Sequence, residues 1–426
     1  MKVAMLGWEF PPFLAGGLGI HCLEITQDLA RQGVLIDFYM PHMATVEGEL
    51  RVAEHHSHLD IREVEADPSI SPYGGNQAHY ERNFNEAVAL YNKRLVAAFD
   101  SYDADVLHAH DWITIPAALE LRRITGKPLV LTMHSMEIDR SAGFCPQTWI
   151  ADIERAGVHG ADLVIAVSRY TKAALVSQYG VDPAKVVAIH NGIDTDKFHP
   201  AARRDYDKTM GPVLFLSRLS RQKGPLYFLR AARRVLEVRP EARFVMEGTG
   251  EMLGECIQYA LEAGIADRVN FTGFVDNGDL ADVYAHNGLY VLPSVSEPFG
   301  ISVLEAMATG LPTIVSRSTG VGEALQHVLR FDYENTDEMA QMIVELIDSP
   351  ELREEMGRNG AKEAARFTWD ACATKTLAVY RSVAPQAPAI ANLLARRTPA
   401  RGSFGPVHVP PTVLAADLHY TVKVAA

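Results

Sequence analysis

Cysteine is scarce in this sequence, positive charge is in deficit, and no long apolar run occurs. The four cysteines, Cys22, Cys145, Cys256 and Cys372, are scattered over 426 residues without a Cys-x-x-Cys. Neither a disulfide framework nor a cysteine zinc site is expected, and the four read as small buried side chains in a reducing compartment. The 53 acidic residues outnumber the 40 basic ones, for a formal charge of -13. That balance argues against global attraction to nucleic acid or anionic membrane, so an anionic ligand has to be met by a local cluster. No stretch approaches the roughly 18 apolar residues of a membrane span. At the amino terminus one lysine precedes a short apolar run broken at Gly7, which reads as a first strand rather than a secretion signal. A cytoplasmic protein is expected.

What is present is the composition of a globular enzyme, 48% hydrophobic and 22% charged. A chain of this length exceeds one ordinary core, which points to two domains. Short apolar runs recur at helix-length intervals: Lys2 to Leu6, Asp105 to His108, Pro128 to Thr132, Leu163 to Val167 and Val186 to Ile189. After a polar stretch at Ala201 to Gly211 the rhythm restarts with Val213 to Leu216, Arg243 to Met246, Val269 to Phe271, Gly288 to Leu292 and Thr313 to Val315. This is the pattern of parallel α/β sheets. It predicts domains at 1–205 and 206–366, then an amphipathic terminal helix at 367–383 that packs back on the first domain. The Ala/Pro-rich tail at 384–426 carries too little periodicity for a core, although Leu414 to Val424 could form an edge strand. The segment from Met43 to Tyr80 fits the rhythm poorly and reads as an insertion or elaborated loop.

Three segments carry chemistry. Gly16-Gly17-Leu18-Gly19 joins the first strand to a helix at about Ile20 to Gln32, where glycines let the backbone approach a phosphate and the helix start offers N–H groups. Neither Gly17-x-Gly19 nor Gly248-x-Gly250 completes Gly-x-Gly-x-x-Gly, and no Walker loop occurs, so dehydrogenase and ATPase readings weaken. Arg218 and Lys223 follow the first strand of the second domain, where an anion would sit beyond the strand ends, and together they could neutralise a diphosphate. Glu297 and Glu305 flank Pro298-Phe299-Gly300-Ile301, which puts the first carboxylate on a loop and the second inside the following helix. Carboxylates suit vicinal hydroxyls, so one could face a sugar and the other a ribose.

Acidic pairs and a histidine-rich loop could suggest a metal. Asp103-x-Asp105 precedes a strand and lies at the wrong end of the sheet, Asp194-x-Asp196 belongs to a turn, and His55, His56 and His58 form a polar loop. No metal and no cofactor is expected.

Taken with His108-Ala109-His110-Asp111-Trp112, Thr132-Met133-His134 and Asn191-Gly192-Ile193-Asp194, these segments over residues 1 to 383 resemble the retaining GT-B glycosyltransferases of family 4, a group akin to glycogen and starch synthases. The resemblance implies two Rossmann-like doubly wound domains with a cleft between them. It implies a nucleotide diphosphate sugar as substrate, Arg218 and Lys223 on the pyrophosphate, and Glu305 on the ribose. It also implies Glu297 with the backbone at Phe299, Gly300 and Ile301 on the transferred sugar, Gly16 and Gly17 beside the donor, and His134 at the reaction centre. His110 and Asp111 fall on the acceptor side. Family members work by front-face displacement, which asks for no protein nucleophile, and closure of the cleft on donor binding is expected. The acceptor reads as a sugar or glucan and the transferred hexose as glucose. A lipid acceptor with peripheral membrane contact, a nucleotide-sugar epimerase and a non-catalytic binding protein remain open on the sequence.

Overall fold

The computed structural model of the chain describes residues 1–11, 16–42, 58–65, 80–200, 210–276 and 278–384. The expected boundary near residue 205, His55, His56, most of the 384–426 tail and the strand considered within it lie outside these residues.

Two all-parallel sheets organise the described chain. The first holds β1 (Lys2–Leu6), β2 (Leu35–His42), β3 (Leu59–Glu65), β4 (Val106–His110), β5 (Leu129–Met133), β6 (Leu163–Ala166) and β7 (Val186–Ala188) in the order β3-β2-β1-β4-β5-β6-β7. The second holds β8 (Val213–Leu216), β9 (Phe244–Glu247), β10 (Val269–Gly273), β11 (Leu289–Leu292), β12 (Thr313–Ser316) and β13 (Leu329–Phe331) in the order β10-β9-β8-β11-β12-β13. Each sheet reverses its winding direction once, between β1 and β4 and between β8 and β11. Such a reversal opens a crevice beyond the strand ends, because the two adjoining connections depart to opposite faces.

Helices cover both faces, as the strand patterning requires. Along β1, Ala4 and Leu6 join one buried cluster while Val3 and Met5 join another on the opposite face. The second cluster also takes Cys22, Ile25 and Leu29 from the helix Gly17–Arg31, and Trp369, Cys372 and Tyr380 from the helix Trp369–Val383. The last helix of the described chain therefore completes the core of the first sheet. Tyr380 Oη lies 2.6 Å from His108 Nδ1, and Gln32 Nε2 donates to Asp370 Oδ1 at 3.0 Å. The chain crosses between the sheets at two touching points: Ile193 N donates to Phe367 O at 2.9 Å, and a Cβ on Gly192 would sit 2.3 Å from Trp369 N. Glycine at 192 is thus set by the close approach of the returning strand of chain.

Three expectations are corrected. The Met43 to Tyr80 segment is not wholly a loop, since Leu59–Glu65 adds a parallel edge strand to β2. The first helix starts at Gly17 rather than near Ile20, so Gly16 is its N-cap residue and Gly17 opens its first turn. Cys145 is exposed, in a turn where Ala142, Gly143 and Cys145 all have positive φ, while the other three cysteines are buried.

Burial also leaves a pH signature. Glu24, on the helix Gly17–Arg31, is pushed up to about 7 by burial and then by the Asp194 and Asp28 carboxylates, against the opposing pull of Arg31 and Lys197. A folded value above the unfolded one means the native state binds more protons between pH ~4.5 and ~7, so this group's contribution falls as pH rises through that window. Glu24→Gln removes the penalty. It should stabilise the protein by about 1–2 kcal/mol at pH 8, after discounting for partial solvent access, and by almost nothing at pH 4.5. Urea midpoints at the two pH values check this, and equal gains at both would contradict it.

Candidate functional site

The two crevices face each other across one cavity of about 340 Å³. Its first wall comes from the chain after β1 (Glu9, Gly16, Gly17), after β4 (Asp111) and after β5 (His134, Ser135), with Arg140 nearby; its second comes from Ser217 to Lys223 after β8 and Glu297 to Ile301 after β11, with Tyr284 and Glu305. Apart from His110, every candidate residue read from the sequence lines this one space. His110 is fully buried behind it, at the end of β4.

On the second wall, Arg221–Lys223 forms a single 3₁₀ turn closed by Gly224 at φ 67°. A Cβ there would stand 2.2 Å from Pro293 O, so the turn lies directly against the end of β11. This brings Lys223 Nζ into an ion pair with Glu297 Oε2. Arg218 is held from below by a second close approach. Leu219 N donates to Thr249 O at 2.9 Å, and side chains on Gly248 or Gly250 would strike Ser217 O or Leu219 O at 2.0 and 2.4 Å. The Gly248-x-Gly250 pair is therefore no phosphate loop of its own; it lets the β9 connection support the basic loop.

Glu297 is fixed by its backbone, with its N–H donating to Ser318 O at 2.9 Å and its carbonyl accepting from Gly320 N at 2.7 Å. Gly300, at φ 98°, turns the chain into the helix Ile301–Ala308 and supplies no capping side chain. One helical turn on, Glu305 is buried and accepts a 2.8 Å hydrogen bond from Tyr284 Oη. Burial raises its carboxyl above the usual range, against the Tyr284 hydrogen bond and the Lys197 charge.

On the first wall, Asp111 is a non-glycine residue at φ 57°. That backbone costs about 1 kcal/mol or more. It is held because Asp111 Oδ1 accepts from His134 N at 2.7 Å and from Ser135 N at 3.3 Å, tying the end of β4 to the end of β5. Burial raises the Asp111 carboxyl to about 7 despite the opposing Arg140 charge and the His134 N–H. Arg140 itself pairs with Glu154 and, at 3.3 Å, with Glu137. His134 Nε2 lies 3.1 Å from His110 Nδ1, and its ring meets that of His21 at 4.5 Å. Burial, then the neighbouring His21 and His108, hold the His134 ring well below the usual histidine value, so it is neutral at pH 7.

A set of contacts that sequence reasoning missed clamps the two walls together. Glu323 caps the helix Arg169–Tyr179 from across the cleft, accepting from Arg169 N at 2.7 Å and Tyr170 N at 2.9 Å, and it lies 2.8 Å from His190 Nε2. Burial works against its ionisation, but His190 and the two N–H donors outweigh it and hold the carboxyl below its ordinary value. Ser168 Oγ donates to Pro298 O at 2.6 Å, and Ser296 Oγ donates to Asp139 Oδ1 at 2.6 Å. Both fix the Glu297 loop to the first wall. Glu323→Gln keeps the shape but weakens two charge-assisted bonds, which together contribute about 1–3 kcal/mol. The variant is expected to scatter X-rays as a more open particle. An unchanged radius of gyration would count against the clamp.

The rejected metal pairs have ordinary partners. Asp103 and Asp105 bond Lys2 through its Nζ and its backbone N–H at 2.9 Å each, and Asp194 Oδ1 accepts from Asp196 N and Lys197 N. His58 is exposed.

Against known proteins, residues 201–363 match the family model "Glycosyl transferases group 1" and residues 15–197 match "Glycosyltransferase Family 4". An uncharacterized glycosyltransferase of Methanocaldococcus jannaschii is 31% identical over 89% of this chain and 98% of its own length. A glycogen synthase of Mycobacterium tuberculosis is 26% identical over 93% of this chain and 100% of its own length. Among solved structures, sucrose-phosphate synthase from Thermosynechococcus elongatus superposes with a TM-score of 0.73 at 22% identity, over 89% of this chain and 98% of its own. Anabaena HepE, solved in complex with UDP and glucose, gives a TM-score of 0.69 at 20% identity, over 90% and 99%. The fold is GT-B.

Proposed function

The chain belongs to the group 1, family 4 glycosyltransferases, and from that premise we propose that it moves a hexose, glucose in our reading, from a nucleotide diphosphate to a sugar or glucan acceptor, retaining the anomeric configuration and using no metal. The observation that carries this reading is the shared cavity, in which Arg218 and Lys223 stand on the same wall as Glu297 and Glu305 and opposite His134. Two cations suit a diphosphate, and two carboxylates a short distance along the wall suit hydroxyls. The solved complex of HepE with UDP and glucose and the glycogen synthase likeness support a nucleotide-glucose donor.

Space supports the same reading at the glycines. Among the described residues, a Cβ on Gly16 would meet nothing within 4 Å, and one on Gly17 would make only an ordinary 3.6 Å contact with Ile301. Neither glycine has a positive φ. Glycine there keeps room on the cavity side, where a phosphate approaches the first turn of the helix Gly17–Arg31.

In the reaction, the bond from the anomeric carbon to the diphosphate oxygen breaks while the acceptor oxygen bonds the same carbon from the same face. The acceptor proton passes to a diphosphate oxygen. Arg218 and Lys223 stabilise the charge left on the diphosphate, which is the main electrostatic contribution. The incoming diphosphate competes with Glu297 for Lys223, freeing the carboxylate for sugar hydroxyls. Glu305, oriented by Tyr284, accepts from the ribose. The neutral His134 adds no positive charge beside an anomeric carbon that becomes positive in the transition state. Asp111 and Arg140 face the acceptor.

The test measures nucleotide diphosphate released from ADP-, UDP- and GDP-glucose with and without glycogen, maltose or glucose, in the presence of a chelator. Acceptor-dependent release with an α-linked product from an α-donor is expected; release independent of acceptor, or an inverted product, would overturn the reading.

A further inference from the structure

Three imidazoles meet behind the first wall of the cavity, each from a different element: His21 from the helix Gly17–Arg31, His110 from the end of β4, and His134 from the chain after β5. One ring nitrogen of each lies within 4.8 Å of the other two. The function described above uses only His134, at the cavity surface. His21 and His110 are buried.

We propose that His21, His110 and His134 form a binding site for a divalent transition-metal ion of the zinc class, and that occupying it shuts the transferase. The closest pair, His110 Nδ1 and His134 Nε2 at 3.1 Å, shares one proton between two lone pairs. Zinc–nitrogen bonds of about 2.0–2.1 Å put tetrahedral ligand atoms roughly 3.3 Å apart, so this pair already has ligand spacing, and the third ring needs to close by at most about 1.5 Å. His21 is oriented for that role. Its Nδ1 donates to Asn191 Oδ1 at 2.9 Å, which leaves the lone pair on Nε2, the arrangement that an outer hydrogen bond imposes on a metal-bound histidine.

Three imidazoles without a carboxylate favour zinc, cobalt, nickel or copper over magnesium or calcium. His134 lines the cavity, which gives an ion a route in and a water for the fourth ligand.

Inhibition follows from charge, and this part rests on the transfer reading. An ion held by His134 would place two positive charges near an anomeric carbon that itself becomes positive in the transition state, and would pin a ring that is otherwise neutral.

The experiment uses tag-free full-length protein stripped with a chelator and titrated with Co²⁺. Visible absorption reports four-coordinate binding, and Zn²⁺ competition gives stoichiometry. One equivalent is expected, weakened at least 30-fold in His21→Gln and in His110→Gln and unchanged in His199→Ala, whose ring is exposed; circular dichroism confirms that each variant is folded. In parallel, Zn²⁺ inhibition is compared with each protein's own metal-free rate, and it should be lost in His21→Gln. Absence of saturable binding, or equal binding in the folded His21 and His110 variants, overturns the site. Binding as expected without inhibition overturns the regulatory part, while a silent transferase with a normal cobalt spectrum faults the functional reading and leaves the site standing.

Discussion

Arg218→Ala lowers kcat/KM for the nucleotide sugar by about 10²–10³-fold, the loss seen when one donor to a developing oxyanion is removed. Arg218 sits on a loop that cannot drift. Glycines at 248 and 250 let the β9 connection press against the Ser217 and Leu219 carbonyls, and the Leu219 N–H is bonded to Thr249 O. The substitution therefore removes a fork of donors without remodelling its support. Because leaving-group charge is greatest in the transition state, the larger part of the loss belongs in kcat. Arg218→Lys retains the charge but not the planar fork and should fall between the two. Steady-state kinetics on variants with wild-type circular dichroism check this; a loss below threefold would remove Arg218 from the reaction.

Gly320→Ala destabilises the protein by about 2–4 kcal/mol and costs at least 100-fold in transfer, although residue 320 donates no side chain to the cavity. Its backbone angle is not the reason, since its φ is not positive. The reason is space. An added Cβ would stand 2.0 Å from Pro298 O and 2.7 Å from Ser168 Oγ, and the first of these is backbone. To make room, the 297–299 segment must lift away, weakening the Gly320 N to Glu297 O bond and the Ser168 to Pro298 clamp together. Glu297 then loses its position opposite Lys223. Gly322 is the internal control. A Cβ there meets its nearest atoms only at 3.7 Å, so Gly322→Ala should leave both stability and rate nearly unchanged. Chemical denaturation and donor turnover on the pair test the argument, and similar behaviour of the two variants would refute it.

The alternation of short apolar runs with helical spacers was legible because a buried parallel strand must be apolar on both faces, and ten strands could be placed that way to within a residue or two. Three strands escaped for local reasons. Leu35–His42 carries Asp37, whose buried carboxylate is paired with Lys2 Nζ at 2.8 Å, so its charge broke the apolar run. Leu59–Glu65 is an edge strand with acidic and basic residues along its length, and Leu329–Phe331 has only three residues. The candidate site was legible wherever function and local conformation coincide on one segment: glycines at a strand-to-helix turn, a basic turn after β8, and two carboxylates about a helix start.

By itself, then, the sequence determined the two sheets, the segments at their switch points and the residue types that meet there, because periodicity and turn chemistry act over neighbours in the chain. Only the tertiary structure decided which segments face one another: Glu323 on the helix at Arg169, 154 residues away, the β9 glycines beneath Arg218, Lys223 on Glu297, and three histidines gathered from separate elements. Each of these contacts depends on how two sheets and their connections dock, and docking is set by the summed burial of many side chains, which leaves no mark at the single positions it brings together.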